Sequence, residues 1–257
     1  EFLKFAFVLY FAGWLSWIRV KKKDMRISMV PFVVMMVLAA GILLRQPDTK
    51  SVILIISAAV GMLFIAGIQW KYIIGILAIG LVVFGGLVYM KPYLRERVQT
   101  FVNPNHDPRG SSYQLRQSLI AIGSGGMLGR GLGQGVQKFT YLPEPQGDSI
   151  FAVIGEEFGF VGSVVVILLF VAFALRGFRI AARAPDTFSA LLVSGIILLL
   201  TAQSFLNIAS IIGVFPLTGV PLVFMSHGGT SLLIALAAVG IVLNVSKYQK
   251  LPKLNHA

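Results

Sequence analysis

Four of the chain's ten acidic residues fall in one short stretch, YLPEPQGDSIFAVIGEE, residues 141–157: Glu144, Asp148, Glu156 and Glu157. The stretch joins a loop rich in glycine and proline to a long apolar run. Asp148 immediately precedes SIFAVIG. An aspartate there accepts from the first free amides of a helix, and its position favours that cap. A carboxylate beside a dry cavity and near cations is also a general base. Glu156 and Glu157 lie two turns deeper. They are expected to face a helix bundle and pair with Lys or Arg as structural ion pairs.

Other charges gather around this stretch. Upstream, GSGGMLGRGLGQG (residues 123–135) offers bare amides and the guanidinium of Arg130. That combination holds phosphate oxygens, or the segment is a flexible linker. It is not a P-loop, since no Gly-Lys-Ser/Thr follows. Residues 91–148 hold Lys91, Arg95, Arg97, Arg109, Arg116, Arg130 and Lys138 against Glu96, Asp107, Glu144 and Asp148. Glu1 and Lys4 are spaced to share one helix face, and Arg45 and Asp48 add to the same set.

The elements that position these groups belong in a bilayer. The 257-residue chain is 56% hydrophobic and 12% charged, where soluble domains carry about 25% charged residues. It has no cysteine, which excludes disulfides, thiolate metal sites and a thiol nucleophile. A net charge of +12 would suggest nucleic acid in a soluble protein. Here the cations are topology signals, and no nucleic-acid motif is present.

A spanning helix needs about 20 mainly apolar residues. Seven stretches qualify, roughly 2–19, 28–44, 51–68, 72–90, 150–175, 187–206 and 230–246. The first lacks the basic start and small-residue cleavage site of a signal peptide. Cations cluster at Arg19, Lys21, Lys22, Lys23 and Arg26, at Lys71, at Arg176, Arg179 and Arg183, and at Lys247, Lys250 and Lys253. If every span crosses once, these places share one side, the cytoplasm. The N-terminus is then outside and the C-terminus inside. An odd number of passes from an outside start is natural if earlier spans are missing.

The expected fold is therefore all-α: one polytopic membrane helix bundle over 1–257, with a large extracytoplasmic loop at 91–148. A further outer stretch, 207–229, is too apolar for a plain loop. Pro216 and Pro221 with Gly213, Gly219, Gly228 and Gly229 forbid one continuous helix. A re-entrant or broken segment lining a cavity fits, because lipid excludes irregular backbone. The alternative is an ordinary interfacial connection.

Several separate motifs then arrive in a familiar order. EFLKFAFVLY looks like the end of a Q-P-S-E-F-x-K segment, and QPDTKS is similar to Q-P-D-x-G-T. YQLRQSLIAIGSGGMLGRGLGQGVQK followed by LPEPQGDSIFAVIGEEFGFVG matches a large outer loop and its exit helix. GVFPLTGVPLVFMSHGGTS looks like G-x-x-P-x-T-G-x-P-L-P-F-x-S-Y-G-G-S-S. Over nearly its whole length the chain resembles the SEDS family of RodA, FtsW and SpoVE, leaning toward the FtsW and SpoVE branch. That family has ten spans, and this chain looks like spans four to ten.

The resemblance implies an inverting peptidoglycan glycosyltransferase on the outer face of the cytoplasmic membrane, serving division, elongation or sporulation. Its substrate would be lipid II, a disaccharide-pentapeptide on undecaprenyl diphosphate. Its partners would be a class B penicillin-binding protein and other divisome or elongasome membrane proteins. The family's loop aspartate corresponds to Asp148, a candidate base for the attacking sugar hydroxyl. Glu1, Lys4, Asp48, Arg109, Lys138, Glu144 and Ser226 would contact substrate, with Arg109, Lys138 and Lys4 meeting the leaving diphosphate. Arg45 joins Glu156 and Glu157 in the ion-pair set. No Asp-x-Asp motif is present and no cofactor is firmly implied; magnesium or manganese rests on the family alone. Lys50 stands where the family prefers Gly, Val223 where Pro is usual, His227 for Tyr and Thr230 for Ser. Two other functions stay open: a lipid II flippase, since broken helices and buried charges also mark transport sites, and a non-catalytic divisome scaffold.

Overall fold

The computed structural model describes residues 1–21, 41, 48–103 and 112–249. The second expected span, Arg45 and Arg109 lie outside the described residues, as do Lys22, Lys23, Arg26, Lys250 and Lys253. The described elements are helices: α1 Phe2–Lys21, α2 Thr49–Ile65, α3 Trp70–Met90, α4 Pro92–Val102, α5 Tyr113–Gly125, α6 Gln137–Thr140, α7 Ile150–Ala182, α8 Thr187–Ile211 and α9 Gly229–Lys247. Five of these, α1, α3, α7, α8 and α9, are long and apolar enough to cross a membrane. With 17 residues, α2 sits at the lower end of the spanning range of about 17–25.

At three places the elements differ in detail from the approximate expectation. The span expected at 51–68 runs Thr49–Ile65. Asp48 starts it early, accepting from Ser51 N at 3.3 Å and Ser51 Oγ at 2.6 Å. Gly67, at φ 78°, follows its end, in a conformation open to glycine. The stretch 91–148 is not a helix-free loop, since it contains α4, α5 and α6. Pro92 at the first turn of α4 is a helix-start signal. The span expected at 150–175 continues to Ala182 and is interrupted at Gly159, with φ 67° and ψ −161°.

The described residues group into two compact units. The first takes in 1–73, 172–202 and 230–257; the second takes in 74–171 and 203–229. In the first, α1, α2 and the early part of α8 bury Phe11, Leu54, Ile55, Met62, Leu191, Ile196 and Ile197. Their approach is close. A methyl group on Gly195 would lie 2.6 Å from both Met62 Sδ and Val8 Cγ1, and one on Gly61 2.6 Å from Leu198 Cδ1. Small residues at such crossings are how membrane helices gain van der Waals contact without a hydrophobic drive.

The second unit is built around the interruption in α7. A break leaves carbonyls and amides without helical partners, and each must be met elsewhere. The carbonyls of Glu156 and Glu157 accept from Arg130 N and Gly131 N, both at 3.0 Å. The amides of Phe160 and Val161 donate to Gly126 O at 2.9 Å and Met127 O at 3.2 Å. Residues 126–131 thus replace one turn of helix.

Candidate functional site

Asp148 ends a turn fixed from several directions. Glu144 adopts φ 45°, and its carbonyl accepts from Gly147 N at 3.0 Å and Ser149 N at 3.2 Å. Ser149 Oγ donates to Pro143 O at 2.9 Å and accepts from Gln114 Nε2 of α5 at 3.1 Å. The broken segment beyond α8 closes the other side. Ser226 Oγ donates to Gly147 O at 2.6 Å while accepting from Leu222 N at 2.8 Å. His227 N donates to Gln146 O at 2.7 Å.

The end of α8 holds that broken segment. Asn207 Nδ2 donates to Val220 O at 2.6 Å and to Asp148 O at 2.7 Å. One turn earlier, Gln203 Nε2 donates to Pro221 O at 3.2 Å. These amides meet carbonyls that the irregular backbone would otherwise leave bare. Residues 212–228 contain no helix; Gly213 and Gly219 take φ 77° and 66°.

At Gly219 the charged groups converge. A methyl group there would sit 3.0 Å from Asp148 Oδ2 and 4.0 Å from Arg97 Nη2. The other arm of Arg97, Nη1, donates to Thr218 O at 3.1 Å. So a half-buried carboxylate and an exposed guanidinium approach one strip of backbone at a glycine whose φ of 66° disfavours a side chain. Two buried polar atoms nearby, Asn207 Oδ1 and Thr218 Oγ1, have no hydrogen-bond partner among the described residues.

Sequence reasoning gave no site role to Arg97, Asn207 or Gly219, the last noted only as a helix breaker. Arg97 is one of seven cations in its region, and nothing in its spacing marks it. Asn207 did carry a signal, since a polar amide within an apolar run is a functional candidate by default.

The glycine-rich segment has an unexpected tenant. Glu156 Oε1 accepts from Val136 N at 2.9 Å and Gln137 N at 3.3 Å. Glu157 Oε2 accepts from Gly133 N at 3.0 Å, and Glu157 Oε1 lies 2.6 Å from Lys138 Nζ. Arg130 Nη1 lies 3.7 Å from Glu156 Oε1. The segment does cradle anions, and they are the chain's own buried glutamates. It is neither an unstructured linker nor an open phosphate nest. Lys138, expected to meet substrate, is directed to Glu157.

The remaining sequence candidates belong to the first unit. Glu1 and the buried Lys4 form an ion pair at 2.7 Å, and Asp48 caps α2. Among the described residues no three His, Asp or Glu side chains converge as a divalent ion would need.

The family model described as "Cell cycle protein", that of FtsW, RodA and SpoVE, matches residues 1–251. Stage V sporulation protein E of Bacillus subtilis is 41% identical over 250 residues, covering 97% of this chain and 68% of that protein. A probable peptidoglycan glycosyltransferase FtsW of Trichlorobacter lovleyi is 41% identical over 261 residues, covering 99% of this chain and 67% of that protein. Among solved structures, one described as structural coordination of polymerization and crosslinking by a peptidoglycan synthase complex aligns at TM-score 0.78 and 27% identity. It covers 97% of this chain and 69% of that one. The rod shape determining protein RodA of Thermus thermophilus aligns at TM-score 0.65 and 24% identity over 97% of this chain and 65% of that one, a likeness of fold. The chain thus spans about two thirds of the length of such relatives.

Proposed function

The chain belongs to the cell cycle protein family of FtsW, RodA and SpoVE, and from that premise we propose that it polymerises lipid II as a peptidoglycan glycosyltransferase. The reading rests on one observation, the convergence of Asp148 and Arg97 on Gly219 within a backbone clamped by Asn207, Ser226 and His227. It is a multi-pass membrane protein. In this reading the clamped turn faces the outer side of the cytoplasmic membrane, and a class B penicillin-binding protein crosslinks the product.

The chemistry follows from the groups present. A sugar hydroxyl attacks the anomeric carbon of a lipid-linked sugar; a carbon–oxygen bond forms as the bond to the diphosphate breaks. Asp148 takes the hydroxyl proton, a contribution of about 100- to 10,000-fold. The transition state has oxocarbenium character, and attack opposite the leaving group inverts the anomeric centre. Charge grows on the departing diphosphate, so a fixed cation stabilises the transition state more than the ground state. Arg97 takes that role here, because Lys138 is engaged by Glu157. The carbonyl of Thr218 orients the guanidinium in advance, and preorganisation is what makes such a group effective.

The test is Asp148→Asn in the full-length protein reconstituted with purified lipid II. The variant is expected to insert normally and form no polymer. Polymer at the native rate would reject Asp148 as the base. Lipid II crossing liposomes without polymer would favour the flippase, and growth sustained by the variant would favour the scaffold.

A further inference from the structure

Residues 126–132, GMLGRGL, fall in a stretch that the sequence assigns to an outer loop, yet they expose large apolar side chains. Leu128 is 81% exposed and Leu132 77%, and Met127 is also exposed. Side chains of this kind grouped on one short loop mark a contact surface.

Part of the main chain in and just after this loop is tied down internally. Gly129 N donates to Gly125 O at 2.8 Å, Arg130 N and Gly131 N to the Glu156 and Glu157 carbonyls, and Gln134 N to Gly131 O at 3.1 Å. Gly133 N and Val136 N go to the Glu157 and Glu156 carboxylates at 3.0 and 2.9 Å. The amides met in this way are ones that lipid could not satisfy, because hydrocarbon offers no partner to a bare amide.

The loop is also continuous with a lipid-facing surface. Through Gly126 O and Met127 O it is bonded to Phe160 and Val161, where α7 resumes after the break. From there Phe160, Val161, Val165, Leu168 and Leu169 are exposed along a candidate span. Arg130 keeps its side chain 43% exposed even while its guanidinium lies 3.7 Å from Glu156 Oε1.

We propose that residues 127–132 form a hook lying in the headgroup–acyl boundary of the bilayer, with the Glu156–Glu157 pair as its internal anchor. Apolar residues in such a position enter the interface by about 5–10 Å. The inference uses the membrane reading of α7 and is independent of the glycosyl-transfer assignment.

The chain contains no cysteine, so Leu128→Cys and Leu132→Cys each provide one attachment point in an otherwise native protein. Both sites are exposed and both variants should fold. Each is labelled with a nitroxide in proteoliposomes of phosphatidylcholine and phosphatidylglycerol. Spin relaxation is then compared for oxygen, which concentrates in lipid, and a nickel chelate, which stays in water. The expected result at both sites is an oxygen-to-nickel accessibility ratio several-fold above that of a label in buffer. A ratio matching buffer would overturn the hook, placing the loop in water. Low accessibility to both reagents would also overturn it, because protein rather than lipid would cover the loop.

Discussion

The side-chain amide of Asn207 joins two carbonyls, lying 2.7 Å from Asp148 O and 2.6 Å from Val220 O. One nitrogen therefore ties the backbone of the proposed base to the broken segment. Asn207→Ala removes the donor and leaves buried acceptors bare, at about 1–3 kcal/mol each. The carboxylate of Asp148 stays present but loses its fixed position. The expected outcome is a fall in kcat of about 10- to 100-fold, since each 1.4 kcal/mol is a factor of ten. KM for lipid II should change less. A variant polymerising at the native rate would show that the clamp is dispensable.

Arg97 offers a sharper chemical contrast. Arg97→Gln should insert and purify normally, as the side chain is exposed and α4 does not depend on it. Removing a fixed group that stabilises transition-state charge costs about 100- to 1,000-fold in kcat. Arg97→Lys keeps the charge but not the fork that reaches Thr218 and the Gly219 strip together, so it should recover only part of the loss. Equal activity of the Lys, Gln and native proteins would remove Arg97 from the mechanism. Steady-state polymerisation at several lipid II concentrations separates these cases.

How much of this was legible in the sequence depends on where the information resides. Apolar runs near 20 residues specify spanning helices, and α3, α8 and α9 follow them closely. The break at Gly159 hides inside such a run because glycine interrupts many helices without breaking them; here loop amides replace the missing bonds. The role of 123–135 was half legible. Its glycines do signal an anion nest, but the anions are Glu156 and Glu157, brought back by the exit helix after a long excursion. Arg97 could not be distinguished from its six fellow cations, since its contact with Thr218 joins residues far apart in the chain. Asp148 stands out as a candidate base mainly through its motif, its position alone suggesting a cap.

The ion pair beneath the hook can be measured directly. Lys138 Nζ lies 2.6 Å from Glu157 Oε1, with side-chain exposures of 23% and 6%. Lys138→Met leaves a mostly buried carboxylate short of one charged donor, and bonds to charged groups contribute about 1.5–3 kcal/mol. The double variant Lys138→Met, Glu157→Gln should be less destabilised than the sum of its parts, with a coupling of about 0.5–3 kcal/mol. Denaturation of the four proteins in one detergent provides the cycle. Strict additivity would mean that the pair contributes no net stability.

The break in α7 makes the strongest steric prediction. A methyl group on Gly159 would lie 2.3 Å from Gly129 N and 2.7 Å from Met127 O. Both are main-chain atoms, so no rotamer change can relieve the overlap. Residue 159 also adopts φ 67°, which adds roughly 1–3 kcal/mol for a residue bearing a Cβ. Gly159→Ala must therefore either force the loop off the helix or straighten the break, and each course strips bonds from residues 126–131. Loss of folded protein or a large fall in unfolding temperature is expected. Gly80→Ala is the control, because nothing lies within 4 Å of the added atom in α3, and alanine favours a helix by up to about 1 kcal/mol. If both variants unfolded at the native temperature, the loop could not be packed against the break as described.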